Sequence, residues 1–338
     1  MSENEASNHK VQSKTTEIKA DGSFNRQKSL FSTPFGNKPE ELPVEKGRYH
    51  LIWSPPCPWS HRAVIVREIL GLQEAISLGT VDPIRPDVPR IDWAFSLDED
   101  GVDPVLGIEY LSEIYTKTAP DYTGRPTVPV VVDIQKQQVV NNDYFTLTND
   151  FETVWAPFHK QNAPDLYPKS LRGDIDALND IIYDEVNNGV YKCGFSRSQS
   201  AYEQAYDVLF DRLEDLERRL AKKRFLFGDF ITDADVRLYV TLVRFDTAYY
   251  SAFNTNKHRI IDFPNLWGYV RDLYDTPGFG NTTDFEGIKK HYHLSITLSP
   301  DGKKEQSILP KGPDLSGWEI KANRQDLSQV EDKFLIHK

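Results

Sequence analysis

Cysteine is nearly absent from the 338-residue chain, which has only Cys57 and Cys193. Two thiols cannot form a disulfide framework or a cysteine-only zinc site, so each must be read on its own chemistry. Positive charge is also in deficit: 40 Lys+Arg against 51 Asp+Glu leave a net charge of −11. That excludes a whole-surface field that draws in phosphate backbones or anionic lipids, and no nucleic-acid partner is expected. No apolar run approaches the ~18–20 residues of a membrane-spanning helix, and Met1 to Lys19 lacks the apolar core of a signal peptide. The chain therefore reads as cytoplasmic and without a membrane partner. Metal-ligand spacing is missing as well. There is no His-Glu-x-x-His pattern, His291 and His293 alternate around Tyr292 like strand or loop neighbours, and no metal is expected.

What is present is a globular profile, 39% hydrophobic and 12% aromatic, long enough for about two domains at ~100–200 residues each. The first forty-odd residues are polar, with few aliphatics, and read as a tail that is flexible or draped over the rest. From Arg48 the pattern changes. Tyr49 to Trp53 reads as a strand, Ser54-Pro55-Pro56 breaks it, and a helix follows Cys57-Pro58-Trp59-Ser60 with Val64, Ile65, Ile69 and Leu70 broadly on one side and Gly71 as its stop. Residues 77–124 read as a long loop holding a helix over roughly Val105 to Lys117. Thr127 to Asp133 and Val139-Val140 read as a hairpin, with a helix opening near Asn142.

The second half is helical in period. Ser200 to Glu203 fits a capping box ahead of a long amphipathic helix that runs to Lys222-Lys223. Thr232 to Asp235 fits another, ahead of a run apolar enough for a central helix. A further helix over Leu266 to Tyr274 precedes an irregular C-terminal region, 295–338.

A thiol is a nucleophile only as thiolate, and a cysteine at the first turn of a helix faces unpaired N–H groups and the positive end of the helix dipole, which favour that form. Cys57 occupies such a place. Pro58 suits an early helical position, and Ser60 stands where a dithiol oxidoreductase would have its second cysteine, so turnover would need an external small thiol. The competing reading is a buried, inert cysteine. The Val128-Pro129 bond is a second candidate feature. In the cis form it would present the Val128 backbone to a peptide-like ligand, although a trans edge proline is the commoner case.

Together these residues resemble a family. Ser54-Pro-Pro-Cys57-Pro58-Trp59-Ser60-His61-Arg62, Trp93, Gly101 to Ile108, Thr127-Val-Pro129, Asn187-Asn-Gly-Val-Tyr191-Lys, Leu242 to Asp246, Phe263 to Tyr269 and Ile288-Lys-Lys-His-Tyr292 look, in that order, like the xi-class glutathione transferases, the glutathionyl-hydroquinone reductases. The resemblance spans about 48–313. It implies an α/β plus all-α architecture: a thioredoxin-like domain at 46–152 after the 1–45 tail, an all-helical domain at 153–313 and an extension at 314–338, assembled as a homodimer. It also implies reduction of a glutathionyl-hydroquinone. In that reaction Cys57 takes the conjugate's sulfur into a mixed disulfide, Tyr191 and Tyr292 serve the leaving hydroquinone, and a second thiol resolves the disulfide.

Trp93, Arg125, Val128 and Pro129 match the positions that hold glutathione in the family. Better-known members then carry Glu-Ser, whereas this chain has Asp143-Tyr144, and Tyr removes a compact hydroxyl where the γ-glutamyl group would be gripped. The cofactor thiol is thus either glutathione with a tolerated substitution or another small thiol such as mycothiol or bacillithiol. Cys193 reads as a packing residue, and Thr232 and Asp235 as a helix cap. Two other functions compete: a glutaredoxin-like deglutathionylase of disulfides, and a non-catalytic binding module on the same fold.

Overall fold

A computed structural model describes residues 17–86, 91–295 and 308–336. A parallel pair of two-residue strands, β1 (Phe35–Gly36) and β2 (Leu42–Pro43), precedes a four-stranded mixed sheet. That sheet contains β3 (Tyr49–Trp53), β4 (Ile76–Thr80), β5 (Val130–Asp133) and β6 (Gln138–Asn141) in the order β4-β3-β5-β6. β3 pairs in parallel with β4 and antiparallel with β5, with Leu51 opposite Leu78 and Val131. Every residue of β3 and β5 is buried. A one-residue slip of β5 would swap the side chains it presents to its two covered faces and undo the packing on both, and this fixes the register.

Helix α1 (Pro58–Leu70) starts at Cys57 and ends at Gly71, whose φ of 75° places it in the left-handed cap. The sequence suggested one apolar side for this helix. In the structure all of it but Glu68 is buried, because α1 is wedged between the sheet and the second domain. α2 (Leu111–Thr118) begins six residues later than expected, since Asp103 captures the N–H groups of Val105 and Leu106 in a turn. The presumed loop after residue 77 hid β4. The helix expected near Asn142 is α3 (Leu147–Glu152), delayed by the Asp143 carboxylate accepting from the Phe145 N–H and the Thr146 hydroxyl.

The second domain contains α4 (Arg172–Ile181), α5 (Gly189–Phe195), α6 (Gln199–Leu220), α7 (Asp233–Arg244), the single turn α8 (Tyr250–Ala252), α9 (Pro264–Tyr274) and α10 (Phe285–Leu294). π-helical turns at Ile182–Asn187 and Phe245–Tyr249 join α4 to α5 and α7 to α8. The cap of α6 is Ser198, not Ser200: its Oγ accepts from the Ala201 N–H. His291 and His293 lie on α10, not on a strand or loop. No helix among the described residues is long and apolar enough to cross a membrane.

α7 is buried at every residue. Its start rests on Asp235, whose carboxylate accepts from the Thr232 N–H and hydroxyl, the Leu226 N–H and the Tyr269 hydroxyl at 2.8–2.9 Å. A cap alone contributes about 0.5–2 kcal/mol, and each buried donor left without a partner costs about 1–3 more. Asp235→Ala is therefore expected to destabilise the fold by roughly 3 kcal/mol, read as a fall of several degrees in thermal unfolding, with Asp235→Asn losing less.

Candidate active site

The Cys57 turn is held from both domains. The Cys57 N–H donates to the Ser54 carbonyl and its own carbonyl accepts from His61, so the residue sits at the mouth of α1 with Pro58 in the first helical position. Ser60 bonds to Ser54 and to the Cys57 carbonyl. Its hydroxyl thus shapes the turn and is not free for chemistry. From α7, Arg244 donates through Nη2 to the Pro55 carbonyl and through Nε to the Pro56 carbonyl, both at 2.8 Å. Its Nη1 reaches His61 Nδ1 at 3.1 Å. Burial and the adjacent Arg244 hold His61 well below its usual range, so its neutral ring accepts from Arg244 and donates to Thr282.

Cys57 is 9% exposed. Its thiol donates to the Val128 carbonyl at 3.4 Å, and the Val128-Pro129 bond is cis. Trp59, two residues on, stands against Tyr144 and Tyr191, with ring centroids at 4.8 and 6.0 Å. The Tyr191 hydroxyl lies 2.6 Å from that of Tyr292, which lies 3.2 Å from that of Tyr249. Burial raises all three phenols, so each keeps its proton at neutral pH and can donate it.

Trp93 stacks on His291 at 5.6 Å, and the Arg85 guanidinium lies 4.4 Å from the Trp93 ring. The Trp93 indole N–H is buried without a partner among the described residues, a donor left over for a ligand. Arg85 donates to the Pro126 carbonyl and interacts electrostatically with Cys57 and Arg125. Arg125 itself is engaged by the chain's own Glu17 at 3.1 Å.

Asp143 is turned into its own loop. Tyr144 fills the space between Trp59 and Tyr183, with its hydroxyl 3.0 Å from that of Tyr183 and its carbonyl bonded by Arg62. Both residues border a cleft of about 430 Å³ that is also lined by Lys28, Ser29, Asp180 and Tyr183. Cys193, by contrast, is 3% exposed, and burial pushes its thiol up to about 12.

The structure thus places Cys57 against Val128 ahead of the cis bond to Pro129, and close enough to Tyr191, with Tyr292 bonded to it, for the thiol and the phenol to interact electrostatically. It sets Trp93 and Arg125 beside Arg85 and places Asp143 and Tyr144 along the adjoining cleft. Sequence reading missed Arg85, Tyr249, His291 and Arg244, which act through contacts distant in the chain. It also missed Arg26, in the tail to which no chemistry had been assigned. Only Arg244 and His291 stood inside stretches that had drawn attention.

Residues 199–272 match the family model described as glutathione S-transferase, C-terminal domain. The chain is 42% identical over 273 residues to glutathionyl-hydroquinone reductase YqjG of Escherichia coli K12, covering 80% of each. The glutathione-bound structure of YqjG superposes with a TM-score of 0.77, covering 90% of this chain and 98% of that one, at 37% identity. A glutathione transferase from Gordonia bronchialis gives a TM-score of 0.83 at 46% identity, over 89% of this chain and 91% of that one. A xi-class enzyme from Natrialba magadii gives 0.81 at 36% identity, over 91% and 96%.

Proposed function

The chain belongs to the xi-class glutathione transferases, the glutathionyl-hydroquinone reductase family, and from that premise we propose that it reduces glutathionyl-hydroquinones through a mixed disulfide on Cys57. The observation that carries this reading is the pairing of one sulfur at a helix mouth with the hydroxyl chain Tyr191-Tyr292-Tyr249 beside it. The Cys57 thiolate forms a bond to the sulfur of the conjugate as that sulfur's bond to the ring breaks. The hydroquinone leaves with a proton, and a second thiol displaces the first from Cys57, returning the thiolate and releasing a disulfide. Cys57 has no neighbouring thiol for that last step, since the other cysteine is sealed in the helical domain.

The cradle suits a small peptide-like thiol. The unpartnered Trp93 indole N–H is available to a carbonyl or carboxylate, and Arg125 offers a fork of donors once Glu17 is displaced. Glutathione is the thiol we assign. YqjG, at 37% identity, is one relative whose structure holds it. Tyr144 narrows the place where a γ-glutamyl group would lie, and this is the feature that would favour mycothiol or bacillithiol instead. The tyrosine chain favours thioether reduction over plain disulfide exchange, which has no need of a proton delivered to carbon or to a ring oxygen.

The experiment is turnover of a glutathionyl-hydroquinone, with release of the hydroquinone measured under each of the three thiols as second reductant. Hydroquinone release that is fastest with glutathione is expected. A clear advantage for either other thiol would reassign the cofactor, and no release with any of them would remove the function.

A further inference from the structure

We propose that Arg26 is a further catalytic residue, whose unpartnered Nη2 takes the ring oxygen of the aromatic substrate as that oxygen becomes anionic. The proposal rests on the reductase reading and assigns that site one more group.

Arg26 belongs to the polar segment before the first domain, yet its guanidinium carbon lies 4.6 Å from the Trp59 ring centroid and 4.5 Å from that of Tyr191. Trp59 is two residues from the sulfur, and the Tyr191 hydroxyl opens the chain to Tyr292 and Tyr249. A planar cation held over aromatic rings has its faces occupied, so only its edges remain to donate. Nε donates to Asn188 Oδ1 at 3.0 Å. Its neighbour Nη2 is buried and finds no acceptor among the described residues. Other arginines of the chain are tied to carboxylates, as Arg224 is to Asp272 and Arg237 to Asp233, or to backbone carbonyls, as Arg244 and Arg324 are. Arg26 is instead fixed by rings and one amide, with a charge-bearing N–H left over beside the nucleophile's neighbour. Arg62, Arg85, Arg237 and Arg324 each leave one guanidinium nitrogen unpartnered as well, and what singles out Arg26 is that its orphan belongs to a cation set over both Trp59 and Tyr191, at the start of the hydroxyl chain.

The proposed reaction supplies a partner for it. In the tautomer whose ring carbon carries both a hydrogen and the sulfur, next to a ring carbonyl, the Cys57 thiolate attacks the sulfur. A sulfur–sulfur bond forms, the carbon–sulfur bond breaks, and its electron pair closes a carbon–carbon double bond and passes to the carbonyl oxygen. The ring becomes aromatic as a phenolate, which takes one proton to give the hydroquinone. Charge therefore develops on an oxygen, and a fixed cationic donor is worth most where charge develops. The tyrosines keep their protons and can supply the one that is needed, while Arg26 holds the anion before it arrives.

The test uses the full chain, a glutathionyl-hydroquinone, and a mixed disulfide of glutathione with 2-mercaptoethanol, which has no ring oxygen. By analogy with loss of a single oxyanion donor, Arg26→Gln is expected to lower kcat on the thioether by about a hundredfold. The loss on the mixed disulfide should be at least about tenfold smaller, Arg26→Lys should recover part of the rate, and added guanidinium ion should restore turnover to Arg26→Ala. Equal losses on both substrates, with no rescue by guanidinium, would show that Arg26 only packs the site, and full activity of Arg26→Gln would remove the proposal alone. No thioether turnover by the unaltered chain would remove the reductase reading and this proposal together.

Discussion

Cys57→Ser lowers hydroquinone release from a glutathionyl-hydroquinone by about a thousandfold or more, because serine keeps the shape of the turn but cannot supply a thiolate or form the disulfide link. The same experiment carries its own control in Cys193→Ser. That thiol is buried and pushed up to about 12, so it stays protonated in the assay and its replacement leaves turnover within about twofold of the parent. Mass spectrometry of the unaltered protein, given conjugate and no second thiol, should find one added glutathionyl group, on the peptide containing Cys57. An adduct on Cys193, or full activity of Cys57→Ser, would overturn the assignment.

Tyr191→Phe and Tyr292→Phe each lower thioether reduction by about a hundredfold or more, the usual range for a lost proton donor. Phenylalanine preserves the ring contacts that Tyr191 makes with Tyr249 and Phe253 and that Tyr292 makes with the same two, so the effect reports the hydroxyls. Because the two hydroxyls are bonded to each other at 2.6 Å, the double variant should lose much less than the product of the single losses. Exchange with a plain disulfide needs neither hydroxyl and should fall far less. Parallel losses on both substrates would show that the hydroxyls shape the site and do not deliver the proton, and thioether turnover undiminished in both variants would remove their role altogether.

Much of this was legible in the sequence because it is local. The strand at Tyr49 to Trp53, the break, and Cys57 ahead of Pro58 are neighbours in the chain, so turn chemistry and helix-start rules reach them. The Thr232–Asp235 cap was visible for the same reason, as two residues three apart. The misses have a shared cause. β4 carries no clean alternation, and the start of α2 was displaced by the side chain of Asp103, a competitor that periodicity cannot see. Arg26, Arg85 and Tyr249 acquire meaning only from rings and carbonyls many residues away, and long-range contact leaves no mark on local pattern. The tail was half legible. Its composition reads as flexible or draped over the rest, and the described part is draped: Phe31 exchanges hydrogen bonds with Asn142, and Gly22 and Asp21 accept from Arg197 and Ser198, which ties it to both domains.

The grip of Arg244 on the Pro55 and Pro56 carbonyls means that the reactive unit has two owners. Cys57 is encoded in the first domain, but the backbone just ahead of it is shaped by a side chain encoded almost two hundred positions later. An excised first half would keep its sulfur and forfeit the brace. Any recombination that swaps one half for a foreign counterpart must therefore bring a matching arginine along, and the two halves are bound to change together.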